Sequence, residues 1–194
     1  IRVPAGMGVA LRDAMAQLCV EVQGAIVAAF ESDAYRARRE MLEGEAEHRR
    51  EEALHGLEAR AAAVGIAIVR TPIGLAVAPM REGKVLEPDA FHALPETEQA
   101  RLRTAMEQLG ADLEALLHQL AIGQRDLRTA VRRLDAEVSR AAVRHLVDEL
   151  RARFTGQPAV IAYLDAVEAD VAGRAPEIVA SAGGGEAGQA AAAM

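Results

Sequence analysis

The sequence predicts a mainly α chain: an elongated, coiled-coil-like antiparallel helical hairpin with a small β-hairpin at its distal tip. Three observations carry that prediction. Apolar residues make up 51% of the 194 positions but aromatics only 3%, so the apolar mass is Ala, Leu and Val. Such side chains fill narrow helix–helix seams better than a thick globular core. On either side of residues 65–87 the apolar positions recur at steps of three and four, the helical period. Between those stretches, GIAIVRTPIGLAVAPMREGKVLE alternates at period two and carries turn residues, the pattern of a hairpin.

Val3-Pro4-Ala5-Gly6 is a short lead-in. The first helix is expected over 8–30, with Leu11, Met15, Leu18, Val22, Ile26 and Phe30 on one stripe. Ser32 then caps a second helix over 33–64, because its hydroxyl can accept from backbone N–H groups two or three residues on. Tyr35, Leu42, Ala46, Ala53, Leu57 and Val64 lie along one side of it, and Gly65 suits the position just past its end. In the insert, 65–87, Ile66, Ile68 and Arg70 share one face and Ala67, Val69 and Thr71 the other. Thr71-Pro72-Ile73-Gly74 is turn chemistry. Leu75 to Met80 forms the returning strand, and Val85-Leu86 can add an edge pairing.

Pro88 to Leu94 reads as irregular chain with room for one short turn. Pro95 opens the long helix, 95–154, where its missing N–H costs nothing. Its stripe, Leu102, Met106, Leu109, Leu113, Leu116, Leu120, Leu127, Val131, Leu134 and Val138, alternates steps of four and three. The spacing slips at Gly123, a stutter or a break. Leu146, Leu150 and Phe154 carry the stripe on. Gly156-Gln157-Pro158 separates it from a shorter helix, 158–172, bearing Val160, Leu164, Val167 and Val171. Residues 174–194 are rich in Ala and Gly and are expected to be a linker or tail, leaving 1–173 as one helical-hairpin domain. At about 1.5 Å per residue the long helix spans about 90 Å and the 33–64 helix about 48 Å. The first two helices together are therefore expected to pair with the long one.

A net charge of −7 and a pI near 5.3 argue against a dedicated nucleic-acid binder, which carries a basic face. Cys19 is the single cysteine, so no internal disulfide forms and a reducing, cytoplasmic setting is expected. Neither a signal-peptide pattern nor an uninterrupted run of eighteen apolar residues is read, so no membrane partner is expected. The first residue is Ile1 rather than Met, and the chain is expected to be a piece of a longer protein.

No chemistry-bearing motif emerges. The only lysine is Lys84, and no G-x-x-x-x-G-K-[ST] loop contains it. Ser32, Ser139 and Ser181 are the only serines, none of them near Lys84 in the hairpin. His48 and His55 lie seven apart on one helix without thiol or acidic partners at ligand spacing. His145 and Asp148 form an i, i+3 pair with a local role. The mixed-sign runs at 36–40 and 45–52 are solvated flanks. No catalytic, cofactor-binding or metal-binding residue is therefore expected. The insert is different, because it exposes small apolar residues where a rod ends. It can cap the helix ends, contact unfolded polypeptide through a strand edge, or do both. The candidate contact residues are Ile68, Val69, Ile73, Leu75, Val77 and Met80.

Several stretches resemble one family in its own order: Val3-Pro4-Ala5-Gly6, Ala29-Phe30-Glu31-Ser32-Asp33-Ala34-Tyr35, Arg70-Thr71-Pro72-Ile73-Gly74 and Ala93-Leu94-Pro95-Glu96. Leu134-Asp135-Ala136-Glu137-Val138 and His145-Leu146-Val147-Asp148-Glu149-Leu150 follow. Together, over about Val3 to Val171, they resemble the helical-hairpin region of a bacterial branch of Lon-like, ATP-dependent proteases of the AAA+ class. The resemblance implies a parent enzyme that uses ATP and Mg, assembles as a homo-oligomeric ring, and unfolds and cuts proteins as a serine endopeptidase in cytoplasmic quality control. The family's ATPase motifs and its Ser–Lys dyad have no counterpart in these residues, so no catalytic position carries over. The implied role is a non-catalytic accessory region that contacts unfolded substrate or controls access to the proteolytic chamber. The alternative reading is a stand-alone coiled-coil scaffold or chaperone-like module.

Overall fold

The computed structural model describes residues 3–72 and 74–192, with side chains described as far as Ser181. In chain order the elements are α1 (Met7–Glu31), α2 (Asp33–Ala63), β1 (Ile66–Thr71), β2 (Gly74–Arg81), β3 (Lys84–Val85), α3 (Pro88–His92), α4 (Glu96–Arg153) and α5 (Pro158–Ala192). The chain is a mainly helical hairpin with a small antiparallel sheet in the order β1-β2-β3. It groups into two compact units, residues 1–42 with 128–194, and residues 43–127, where one domain ending at 173 was expected.

The first unit has a core drawn from three helices. Leu18, Val22 and Ile26 of α1 meet Val143 and Val147 of α4, and Val160, Leu164 and Ala175 of α5. The α1 residues and Val160 and Leu164 are on the stripes that the spacing predicts. In α4 the buried positions are Val143 and Val147, whereas the expected Leu146 and Leu150 are only partly buried against the same core, and Ala175 lies beyond the expected end of the last helix. Ser32 both closes α1 and opens α2: its hydroxyl donates to the Ala29 carbonyl at 2.6 Å and accepts from the Tyr35 N–H at 3.2 Å. That is the capping role the sequence assigns to it.

α5 corrects the boundary drawn at 173. The helix runs to Ala192, with Ala175 fully buried and Ile178 and Val179 against the same core. Low complexity was the wrong cue here. Alanine is the strongest helix former, and Ile178 extends the stripe of Leu164, Val167, Val171 and Ala175 at helical steps. By length and averaged composition α1 is apolar enough to cross a membrane, although Arg12, Asp13 and Glu21 interrupt any unbroken apolar run. In this fold its Leu18–Ile26 face is occupied by protein.

In the second unit Leu57 and Ala61 of α2 and Leu102, Leu109 and Leu113 of α4 share a core with Ile66 of β1. Arg60 donates to Asp112 across these helices at 2.8 Å. Gly65 ends α2 with φ +81°, and a Cβ there would lie 3.3 Å from the Met80 carbonyl oxygen. Glycine is thus required both by the left-handed conformation and by the close approach of β2. Gln99 of α4 donates to the carbonyls of His92 and Leu94 at 3.1 and 2.8 Å, which ties down the short turn of α3.

α4 continues through Gly123 without a break. The slip in the stripe marks a lapse of burial instead: every residue from 121 to 126 is exposed, and α2 has no fully buried residue between 36 and 56. Pro95 stands one residue before α4, its carbonyl accepting from the N–H groups of Glu98 and Gln99, a difference within the usual blur of helix ends.

Candidate functional site

The sheet is built by register. β1 and β2 pair antiparallel, with Ile66 opposite Pro79, Ile68 opposite Val77, Arg70 opposite Leu75 and Thr71 opposite Gly74. Directly opposed residues share a face. One face therefore holds Ile66, Ile68, Leu75 and Val77, and all four pack onto the α2–α4 core. The other face holds Ala67, Val69, Ala76, Ala78 and Met80. Met80 lies opposite Val85 of β3, which is 46% exposed. The sequence candidates thus split. Ile68, Leu75 and Val77 are anchors of the cap, whereas Val69 and Met80 lie on the partly exposed outer face. Ile73 lies outside the described residues. Alternation along each strand was legible in the sequence. Which parity turned inward needed the register and the helices.

The same register shows which backbone groups are unpaired. Thr71 and Gly74 flank a two-residue loop, and the Met80 N–H donates to the Gly65 carbonyl at 2.7 Å. Hydrogen-bonded pairs in an antiparallel ladder alternate with non-bonded ones. Ile66, Ile68 and Arg70 fall in non-bonded pairs, so their N–H and C=O groups point away from β2; Ile66 is fully buried, which leaves Ile68 and Arg70 as the accessible stretch. Among the described residues no strand lies along that side of β1. The opposite edge is less available. The Pro79 carbonyl accepts from Leu86 N–H at 2.8 Å, β3 pairs with Met80 and Arg81, and Pro79 has no N–H to offer. The turn into β3 uses Glu82 and Gly83 at φ 51° and 77°, the mirror-image turn that suits a hairpin's twist.

The first unit holds a feature that sequence reasoning missed. A cavity of about 260 Å³ opens between α1 and α5, lined by Met15, Leu18, Val22, Val167, Val171 and Ile178. Cys19, exposed and unpaired with any other thiol, stands at its rim. The α1 and α5 stripes hinted at it, but a stripe does not reveal how completely two helices close.

Tyr35 and Asp135 form a buried polar joint in this unit. The phenol donates to Asp135 Oδ1 at 2.8 Å, Ser139 donates to the Asp135 carbonyl at 2.7 Å, and the Phe30 ring lies 4.6 Å from that of Tyr35. Two of the stretches that carry the resemblance therefore meet here in a structural role. Burial, and then the bond to Asp135, raise the phenol's pKa above its ordinary value. Folding thus favours the neutral phenol. Its stabilising contribution is complete below about pH 10 and is lost as pH rises through the higher folded value. Tyr35→Phe is expected to remove that alkaline loss. It should also cost about 1–3 kcal/mol at neutral pH, because a buried carboxylate loses its donor. Urea titrations of both proteins between pH 7 and 11 read the two effects. Parallel pH profiles would show that Tyr35 does not titrate with unfolding.

The remaining polar groups are locally engaged. Arg151 donates to Asp148 and to Glu168, each at 2.7 Å, and to Asp165, clamping α4 to α5. Asp148 is thus taken by Arg151 rather than paired with His145. Arg38 and then Arg133 hold the Glu137 carboxyl below the usual carboxylate range. His48 faces Glu52 at 3.4 Å and His55 faces Glu58 at 3.8 Å. Among the described residues no group of three His, Cys, Asp or Glu side chains converges. Ser139 and Ser181 donate to carbonyls of their own helices. A scan against protein-family models gives no match to the chain, and a search of curated proteins gives none either.

Proposed function

We propose that this chain is a non-catalytic accessory region of a Lon-like ATP-dependent serine protease, and that its small sheet contacts unfolded polypeptide on the way to the proteolytic chamber. ATP, Mg and the ring of identical subunits belong to the parent enzyme in this reading. The edge of β1 carries it: a strand seated on a helical core by one face, with the unpaired backbone groups of Ile68 and Arg70 along its free side. Such an edge pairs with extended chain of almost any sequence, which suits an enzyme that must accept many unfolded proteins. The order of the family-like stretches supports the parent.

The test is made in the longer protein that carries the ATPase and peptidase modules. Replacing residues 66–86 by a short Gly/Ser loop is expected to slow degradation of an unfolded protein several-fold while leaving cleavage of a short peptide unchanged. The pair Val69→Ser and Met80→Ser, which leaves the Ile66 anchor in place, should act in the same direction. Unchanged degradation in both would reduce the sheet to a cap. A longer reading frame with no ATPase or peptidase module would favour the scaffold.

A further inference from the structure

We infer that the middles of α2 and α4, residues 36–56 and 114–133, form a compliant joint, where the two helices bend and open locally while the cores at either end stay closed. The observations behind this are separate from those behind the polypeptide-contact reading. Three of them meet at the same place.

The first is a matched lapse of burial. Neither 36–56 of α2 nor 114–133 of α4 contains a fully buried residue. The stretches are bounded by Tyr35 and Leu57, and by Leu113 and Leu134, all four buried. Between those bounds Leu42, Ala46 and Ala53 of α2 and Leu116, Leu120 and Leu127 of α4 are only half-buried, and Leu117 is 43% exposed. Each stretch is about 30 Å of helix. Most helical stability in a protein comes from an apolar face packed on something else. Where that face is half wet, the helix stands on its own propensity.

Propensity is low in the same stretches. Gly44 and Gly56 lie inside α2 and Gly123 inside α4. A glycine in a helix interior favours opening about fivefold relative to alanine. Helices keep glycine at a cost where a neighbour comes too close for a side chain. That reason does not apply here, because a Cβ at Gly44, Gly56 or Gly123 would meet nothing within 4 Å. The third observation is the grouping of the chain. Its two compact units divide between residues 42 and 43 and between 127 and 128, inside both stretches.

Hydrogen exchange of the full chain, followed at two protein concentrations, tests the joint. Amides of 36–56 and 114–133 are expected to exchange at least about tenfold faster than those of 102–113 and 143–150. Gly123→Ala should slow exchange across 114–133 about fivefold and leave 143–150 unchanged. Gly44→Ala should do the same for α2. Bending has its own readout, the distance between spin labels at the exposed positions 107 and 140 of α4, with the single native cysteine removed by Cys19→Ser. The distance distribution should be broad and should narrow in Gly123→Ala. Even protection along α4 overturns the joint, as does a Gly123→Ala chain whose exchange and label distances are unchanged. Loss of protection at 102–113 or 143–150 in that variant also overturns it, since the glycine would then serve packing. Protection of 114–133 that rises with protein concentration replaces the joint by an interface between copies of the chain.

Discussion

Leu164→Ala is expected to destabilise the first unit by about 2–5 kcal/mol, the cost of a cavity in a core that relaxes only in part. Leu164 is fully buried and belongs to the cluster that joins Ile26, Val143, Val147 and Val160. The measurement is a urea transition with hydrogen exchange to locate the loss. Amides of α1, α5 and the C-terminal part of α4 should lose protection. Val167→Ala, at a partly buried position on the same helix, serves as the milder comparison. A loss under about 1 kcal/mol at Leu164 would mean that α5 is not seated as described, and the correction at residue 173 would fail with it.

The second large effect is expected from Ile66→Ala. Ile66 has no exposed surface and, among the described residues, is the only sheet residue fully buried in the second unit's core. A two-stranded ribbon is marginal alone, so the hydrophobic anchor decides whether the sheet exists. Truncating isoleucine to alanine in a core costs about 2–5 kcal/mol. If that cost falls on the local opening of the sheet, the amides of β1 and β2 should exchange at least about thirtyfold faster. Helical circular dichroism should hardly change, since Leu57, Leu102, Leu109 and Leu113 still pack without it. Loss of the helices along with the sheet would show that the insert organises this unit rather than capping it. In the longer protein, the same substitution should mimic replacement of the insert.

These effects bear on what the candidate surface is. Under the proposed function the sheet has two duties, anchoring and contact, and they fall on opposite sides of one ribbon. Ile68, Leu75 and Val77 are committed to the helices. Val69 and Met80 are not in that cluster, and the β1 edge is left without a strand partner among the described residues. Substitutions on the first set should therefore act through stability, and those on the second through contact alone.

Much of this was written in local chemistry. Ser32 between two helical runs, glycine at 65 after the last turn of α2, Thr71 and Gly74 about a two-residue loop, and Gly156 before Pro158 each demand one conformation from their own covalent structure. The stripe of α1, and that of α4 as far as Leu134, follow from a period that needs no partner to be seen; that Val143 and Val147 rather than Leu146 and Leu150 are buried was decided by the helices they meet. What stayed hidden depends on partners. Ala175, Ile178 and Val179 become core only because α1 and α4 supply a seam for them, so composition alone read them as tail. The slip at Gly123 told that the stripe changes but could not tell break from lapse, because a helix needs only its own hydrogen bonds to continue whereas burial needs a neighbour. The inward parity of the sheet, the bond between Tyr35 and Asp135 a hundred residues apart, and the identity of the open strand edge are relations between segments. Local pattern sets which residues can share a face; only the docking of helices and strands decides which face is covered and which is left exposed.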